Sequence, residues 1–256
     1  MRRVAGHLLG LAVFCAALAA WELWARSEGG FIVPHVRDVL AAAWEVWRDP
    51  DFLSEAAQSL ERLAAGFLLG AGIGIAVGLL LGASLRARRL LGPLVELLRA
   101  TPPIALVPAL LVVLGLGNGM RISLIAFGVS LPVLVNTFDG VRAVSPEARD
   151  TASLLHVGRF GRVFRIYLPA ALPSIAAGLR IAISVGIVLL VVSEFVGEGG
   201  GLGNYLLVAS ARTEYPELYA GILFLGLLGY VLNRLFLLAE RHVLAWHYGA
   251  VGEQSR

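Results

Sequence analysis

Long apolar stretches recur along this chain, and they constrain its fold more than any other feature. A helix that crosses a bilayer needs about 20 mostly apolar residues, because lipid offers no partners for backbone N–H and C=O groups. Six stretches fit this description, and a charged fraction of 15% in a 58% hydrophobic chain is typical of an integral membrane protein. The predicted spans are residues 4–24, 63–85, 100–120, 122–138, 178–196 and 218–239.

The distribution of arginine predicts which ends of these spans lie in the cytoplasm. With both termini cytoplasmic, fifteen of the 21 arginines fall on the inner side and six on the outer side, in agreement with the positive-inside rule. We therefore expect an all-α, polytopic membrane protein with about six transmembrane helices, forming a single domain over residues 1–256. An uncleaved first span is favoured over a removed signal peptide, since five more spans follow.

Several classes of function find no support in the residues present. All 21 basic residues are arginine, and the absence of lysine excludes a GxxxxGK[ST] phosphate loop and a Schiff-base lysine. The single cysteine excludes a CxxC metal or redox pair, and the five histidines are scattered without an HExxH motif. We therefore predict no catalytic residues, no metal site, no cofactor bound by this chain and no nucleic-acid partner.

Glycines in the second span repeat every four residues, which places them close to one helix face. They are Gly66, Gly70, Gly74, Gly78 and Gly82. Small residues at this spacing let another helix approach closely. Packing within the same subunit is the favoured interpretation, and a subunit interface or a sliding surface is the alternative.

Prolines interrupt the third span, and polar residues mark the ends of two others. Pro102, Pro103 and Pro108 break the regular backbone hydrogen bonding, and transporters tend to place substrate paths at discontinuous helices. A substrate path and a simple kink are both compatible with these prolines. Asn136 is a candidate helix cap or inner gate in the fourth span, and Glu194 is a candidate outer gate in the fifth.

A cationic segment, residues 142–169, connects the fourth and fifth spans on the cytoplasmic side. Ser145-Pro146 is typical of a helix start, and we expect a short helix, a turn near Val157-Gly158 and a second helix. An apolar face would be formed by Leu154, Leu155, Phe160, Val163 and Phe164. Orientation of the chain needs loose arginines rather than an ordered apolar face, so we interpret this segment as a docking surface for a soluble protein.

The same segment resembles the cytoplasmic signature of the inner-membrane permease subunits of bacterial ABC importers, the binding-protein-dependent class. That signature reads Glu-Ala-Ala, three residues, Gly, nine residues, Ile, one residue and Leu-Pro. Its positions fall on Asp150, Thr151, Ala152, His156, Ile166, Leu168 and Pro169, and Gly158 comes two residues after the glycine position. The stretches RATPPIALVPALLVVLGLG, LPVLVNTFDGVR, LPAALPSIAAGLRIAIS, SEFVGEGGGLGNYL and RHVLAWH resemble the nitrate, sulfonate and taurine branch of this family.

The resemblance implies a role in ATP-driven import. Two permease copies, expected as a homodimer, would form the pathway, and the 146–169 loop would couple it to a separate ATPase subunit that binds ATP and Mg. An extracytoplasmic binding protein would deliver a small solute such as a sulfonate, taurine, nitrate or a vitamin precursor. The chain would be a multi-pass protein of the cell inner membrane. The alternatives are an ion-gradient-driven secondary transporter, and a non-transport membrane scaffold or enzyme.

Overall fold

The computed structural model describes residues 2–197 and 199–245, and the regular structure in this part of the chain is helical. It contains a 3₁₀ turn at Pro103–Leu106 and a π-helical turn at Val163–Tyr167. The helices are α1 (Arg2–Ser27), α2 (Val36–Val46), α3 (Pro50–Ala83), α4 (Leu85–Ala100), α5 (Val107–Leu114), α6 (Asn118–Arg142), α7 (Pro146–Leu154), α8 (Arg159–Arg162), α9 (Leu168–Glu194), α10 (Leu202–Ala211) and α11 (Tyr215–Val243). The predicted all-α fold is confirmed.

The number of membrane-length helices agrees with the predicted spans. Five helical stretches in the described residues are long and apolar enough to cross a membrane, and one bent pair makes a sixth candidate. Two of them start well before the predicted spans, at Pro50 and at Arg159, because the residues that precede each of these predicted spans are helical as well. The predicted cytoplasmic position of the C-terminus, including Arg256, and the end of the RHVLAWH stretch lie outside the described residues.

The predicted third span, residues 100–120, does not form one helix. The helical stretch Pro103–Leu114 turns away from α4 by 94°. The Pro102-Pro103 pair explains this bend, because neither proline donates a backbone hydrogen bond and each disfavours helical geometry in the residue before it. Gly115 then ends α5 with a φ of 71°, a left-handed conformation that favours glycine.

The chain forms two compact units. The first contains residues up to Ala57 together with Gly200–Leu227, and the second contains Gln58–Gly199 together with residues from Leu228 onwards. The expectation of a single domain over residues 1–256 stays a prediction.

Aromatic side chains build much of the core of the first unit. Phe52 is fully buried, and its ring meets those of Tyr205 and Phe224 edge-on at centroid distances of 4.9 and 5.0 Å, a geometry that aromatic quadrupoles favour. Trp47 Nε1 donates to the Ala220 carbonyl oxygen at 3.1 Å. The indole therefore fills space in this unit and satisfies its own donor.

Helix α6 is the central helix of the second unit. Its buried residues Leu124, Ile125 and Val129 join Leu63 of α3 and Leu190 of α9 in one apolar core. Helix α6 therefore has α3 on one side and α9 on the other.

The glycine stripe of the second predicted span lies against α6 of the same chain. A Cβ atom added at Gly70 would lie 2.4 Å from the Ala126 carbonyl oxygen, and one at Gly74 would lie 2.7 Å from that of Ser130. Such distances are far below van der Waals contact, so these positions exclude any side chain. The same close approach to α6 is made by Gly66, Gly78 and Gly82. The stripe thus allows α3 and α6 to pack backbone to backbone.

We expect the substitution Gly70→Ala to lower the free energy of unfolding by about 1–3 kcal/mol, because its methyl group would overlap the α6 backbone. Gly72→Ala is the matched control, since Gly72 lies in the same helix with no atom within 4 Å of an added Cβ. Alanine there is expected to stabilise the helix by up to about 1 kcal/mol. Thermal unfolding in detergent micelles measures both, and equal shifts for the two variants would contradict this packing.

Candidate functional site

The cationic segment folds as a helix, a turn and a second helix, as its sequence predicts. Helix α7 covers Pro146–Leu154, and α8 begins at Arg159 and continues through the π-helical turn into α9. The short π-helical turn, Val163–Tyr167, separates α8 from the prolines Pro169 and Pro173 near the start of α9. Residues 146–169 are called the coupling segment below, after the role that the resemblance implies for them.

Side-chain hydrogen bonds cap the first turn of α7 and connect this helix to α6. The Ser145 hydroxyl accepts a hydrogen bond from the Ala148 N–H at 3.3 Å, which satisfies one of the free donors of the first turn. Hydrogen bonds from its own backbone N–H and from the Ser145 hydroxyl hold the pKa of the exposed Glu147 carboxyl below its usual range. Arg149 Nη2 donates to the carbonyl oxygens of Val141 and Arg142, both at 3.1 Å. The guanidinium therefore joins α7 to the last turn of α6.

Two residues after the end of α7, His156 adopts the backbone conformation that usually needs glycine. His156 has a φ of 52°, and the Val157 N–H donates to the Ala152 carbonyl oxygen at 3.0 Å. In the Schellman motif that ends many helices, one residue is left-handed and the N–H of the next residue bonds to the carbonyl oxygen five residues before it. His156 and Val157 form this motif. His156 thus takes up the geometry expected of the signature glycine, while Gly158 has a φ of −61° that any residue adopts.

The signature residues differ in their exposure. Asp150, Thr151, His156 and Gly158 are exposed, whereas Ala152 is only 3% exposed. Ala152 therefore packs within the chain, and its small size fits that position. The remaining signature positions are half-buried at the start of α9 and in the turn before it: Ile166, Leu168 and Pro169.

Large apolar side chains of the coupling segment are exposed, in agreement with the predicted apolar face. Leu154 and Leu155 at the end of α7 are 79% and 71% exposed, and Phe160 on α8 is 81% exposed. The rings of Phe160 and Phe164 stack with their centroids 6.1 Å apart. An ordered segment that presents four large apolar residues is suited to contact with another molecule.

The candidate pathway residues fall in different surroundings. Pro102 and Pro103 lie at the 94° bend described above, and Pro108 lies in the first turn of α5. Asn136 is half-buried, and its side-chain amide donates to the Pro132 carbonyl oxygen of its own helix at 2.8 Å. Helix α6 continues to Arg142, so Asn136 lies inside the helix and not at its cap. Glu194, in contrast, bonds to residues of another helix.

Glu194 is fully buried in a polar cluster at the end of α9. Its carboxylate accepts a hydrogen bond from Arg62 Nη1 at 2.8 Å and bonds from the Ser59 hydroxyl at 2.8 and 2.9 Å. Arg62 is itself 5% exposed, and its Nε donates to the Asn118 side-chain oxygen at 2.8 Å. A buried ion pair requires good geometry and extra hydrogen bonds to offset its lost hydration, and this pair has both.

Two arginines hold the chain just beyond α9. Arg62 Nη2 and Arg121 Nη1 donate to the Gly199 carbonyl oxygen at 2.6 and 2.9 Å, and Arg121 Nη2 donates to that of Val196 at 3.4 Å. Carbonyls at a helix C-terminus favour a cation. Arg62 and Arg121 are two of the six arginines that the sequence analysis assigns to the outer side of the membrane, and this cluster was not predicted. The signal was present in α3, where Ser59 and Arg62 are three residues apart and so share a face.

Comparison with known proteins decides the family. Residues 70–245, which include the coupling segment and the core of the second unit, match the family described as the binding-protein-dependent transport system inner membrane component. The chain belongs to this family. The predicted family, and with it the function as a transmembrane permease of an ABC importer, is confirmed.

Related sequences and a solved structure agree with this assignment. The chain is 30% identical over 251 residues to SsuC of Bacillus subtilis, named as an aliphatic sulfonates transport permease, with 96% of this chain and 90% of that protein covered. It is 29% identical to the nitrate import permease NrtB of Leptolyngbya laminosa, covering 87% of this chain and 82% of that protein. A crystal structure of a bacterial ABC transporter involved in the import of alginate shares the fold, with a TM-score of 0.63 at 15% identity over 94% of this chain and 98% of that one.

Breaking the buried ion pair is expected to destabilise the protein strongly. Glu194→Gln leaves the buried Arg62 without its counter-charge, and the expected loss is about 3–5 kcal/mol in the free energy of unfolding. The double variant Arg62→Met/Glu194→Leu removes both charges and is expected to recover much of that loss. Asp38→Asn is the control, because it breaks the exposed Arg37–Asp38 pair, where a change below about 1 kcal/mol is expected. Similar melting temperatures for wild type and Glu194→Gln would rule out this role of the pair.

Removing the backbone strain at His156 is expected to stabilise the C-terminal end of α7. His156→Gly removes the steric cost of a Cβ at positive φ, and we expect a gain of about 0.5–1 kcal/mol. His156→Ala keeps the Cβ and should give no gain, while Gly158→Ala should be tolerated. Hydrogen exchange of the α7 amides reports the change, with slower exchange expected in His156→Gly. Faster exchange in that variant, or disruption by Gly158→Ala, would show that Gly158 carries the turn.

Proposed function

We propose that this permease couples substrate passage to a separate ATPase subunit through the coupling segment, residues 146–169. The observation that carries the proposal is the exposed apolar face on an ordered helix–turn–helix, with Leu154, Leu155, Phe160 and Phe164 open to a partner. A short helix with apolar anchors is a common way to dock into a groove on another protein. ATP and Mg are then bound by that partner subunit.

The connections of the coupling segment support its use as a lever. Arg149 joins α7 to the end of α6, and the π-helical turn makes α8 continuous with α9. Movement of the partner beneath α7 would therefore act on two helices of the central core at once. Packed helices respond to such a displacement by moving as rigid bodies.

The substrate class that the relatives favour is a small anion. The two relatives described above are named for sulfonates and nitrate, which are both oxyanions. We propose that a binding protein outside the inner membrane delivers such an anion to a pathway formed by two copies of the chain. The bend at Pro102-Pro103, Pro108 and the ends of α6 and α9 near Asn136 and Glu194 are the pathway regions to test.

The test of coupling is the recovery of the ATPase subunit with tagged permease from membranes. Leu154→Asp/Leu155→Asp places two charges on the exposed end of α7, and we expect at least a tenfold loss of bound ATPase and of ATP hydrolysis stimulated by liganded binding protein. Ala143→Asp is the matched control, since it adds a charge at an exposed position just before the coupling segment. It should retain both activities.

Two outcomes would contradict the proposal. The first is unchanged ATPase recovery and uptake in the double variant when its membrane insertion equals that of wild type. The second is uptake by the purified chain alone on a proton or sodium gradient. The second result would favour a secondary transporter, which needs no ATPase partner.

A further inference from the structure

An open groove of about 1110 Å³ lies in the second unit, and Phe160 and Phe164 of the coupling segment form part of its lining. One of its walls is α3, the second is the start of α4, and the third is formed by α8, the π-helical turn and the start of α9. The groove thus brings the membrane-length helix α3 next to the second half of the coupling segment.

The α3 wall is apolar and follows one helix face. Its residues include Gly72, Ile75, Leu79 and Ala83, which are spaced by three or four residues and so lie one above another. This face differs from the glycine stripe that packs on α6. At Gly72, no atom lies within 4 Å of an added Cβ, so the wall is open at this end.

Three arginines line the other part of the groove, and its lining contains no carboxylate. Arg86 comes from the first turn of α4, and Arg159 and Arg162 come from α8. Arg162 Nε donates to the Val157 carbonyl oxygen at 2.8 Å, which fixes the direction of its guanidinium group. Among the ion pairs formed by the described residues, none involves these three arginines.

We propose that this groove binds an anionic glycerophospholipid. The phosphate of the lipid would be held by Arg86, Arg159 and Arg162, since guanidinium groups match phosphate oxygens in charge and hydrogen-bond geometry. An acyl chain would lie along the apolar face of α3. Basic pockets between membrane helices on the cytoplasmic side are suited to such headgroups, and the three arginines lie where the charge distribution predicts the cytoplasmic side.

The composition of the groove favours this occupant over a protein segment. A single amphiphile with a negative end and a long apolar part complements a groove that is cationic in one region and apolar in the other. The groove lining gives the three arginines no carboxylate partner, so a helix of a second copy would have to supply acidic side chains to pair with them. The substrate anion alone would leave the apolar face of α3 uncovered.

Native mass spectrometry of the full chain in detergent tests the proposal, with phosphatidylglycerol and phosphatidylcholine of equal acyl chains as the probes. Wild type is expected to bind phosphatidylglycerol about tenfold or more tightly than phosphatidylcholine, since the arginines attract the net negative charge that only the phosphatidylglycerol headgroup carries. Arg86→Gln/Arg159→Gln is expected to lose most of this preference. Arg162 is left in place because it also bonds to Val157.

The matched control is Arg88→Gln/Arg165→Gln, which removes one exposed arginine from α4 and one from the π-helical turn, neither of which lines the groove. It should keep the preference for phosphatidylglycerol. A second arm fills the apolar wall with Gly72→Phe, which should weaken binding of both lipids. Its control is Gly226→Phe on α11, where an added Cβ also meets no atom within 4 Å.

Three results would overturn the proposal. The first is equal binding of the two lipids by wild type, and the second is a loss of lipid preference in the Arg88→Gln/Arg165→Gln control as large as in Arg86→Gln/Arg159→Gln. The third is an unchanged lipid preference in Arg86→Gln/Arg159→Gln together with loss of its binding to a second copy of the chain or to the ATPase. The last result would assign the groove to a protein. Lipid binding is measured without nucleotide or ATPase, so its failure is distinct from a failure of the coupling proposal.

Discussion

The close approach of α3 to α6 is the constraint on which the second unit depends. With a carbonyl oxygen of α6 only 2.4 Å from the place where a Gly70 Cβ would lie, the two backbones are in direct contact. The other side of α6 is similarly close to α9, since a Cβ at Gly140 would lie 2.8 Å from that of Ser174. Three helices packed this tightly behave as a rigid body, because cores at crystal-like density do not deform continuously. Displacement at one end is therefore transmitted along the helices.

The two ends of this core use arginine in different ways. At one end, Arg62 neutralises the buried Glu194, and with Arg121 it fixes the chain after α9 through Gly199. At the other end, Arg149 bonds to carbonyl oxygens at the end of α6 and so attaches the coupling segment. The first arrangement is enclosed, whereas the second joins α6 to a segment whose large apolar side chains are exposed.

Local features of the sequence predicted the helices and the coupling turn, but contacts between distant residues were not predictable. The apolar stretches and the Ser145-Pro146 start depend on neighbours in the chain, and the structure has helices there. The pairing of Arg62 with Glu194 joins residues 132 positions apart, and periodicity within one helix carries no information about that partner. The conformation of His156 was also not predictable from its residue type, because residues other than glycine are uncommon at positive φ. The 94° bend was foreseen as an interruption by the prolines, but its angle depends on packing.

Lysine is absent from this chain, and all 21 of its strongly basic side chains are arginine guanidinium groups. Arginine stays protonated at any pH a cell experiences. The positive charges that hold Glu194 and line the groove beside α3 are therefore constant across the pH range of a cell. They are also beyond the reach of acetylation, which acts on lysine amines. This protein therefore carries a pattern of positive charge that does not change with pH.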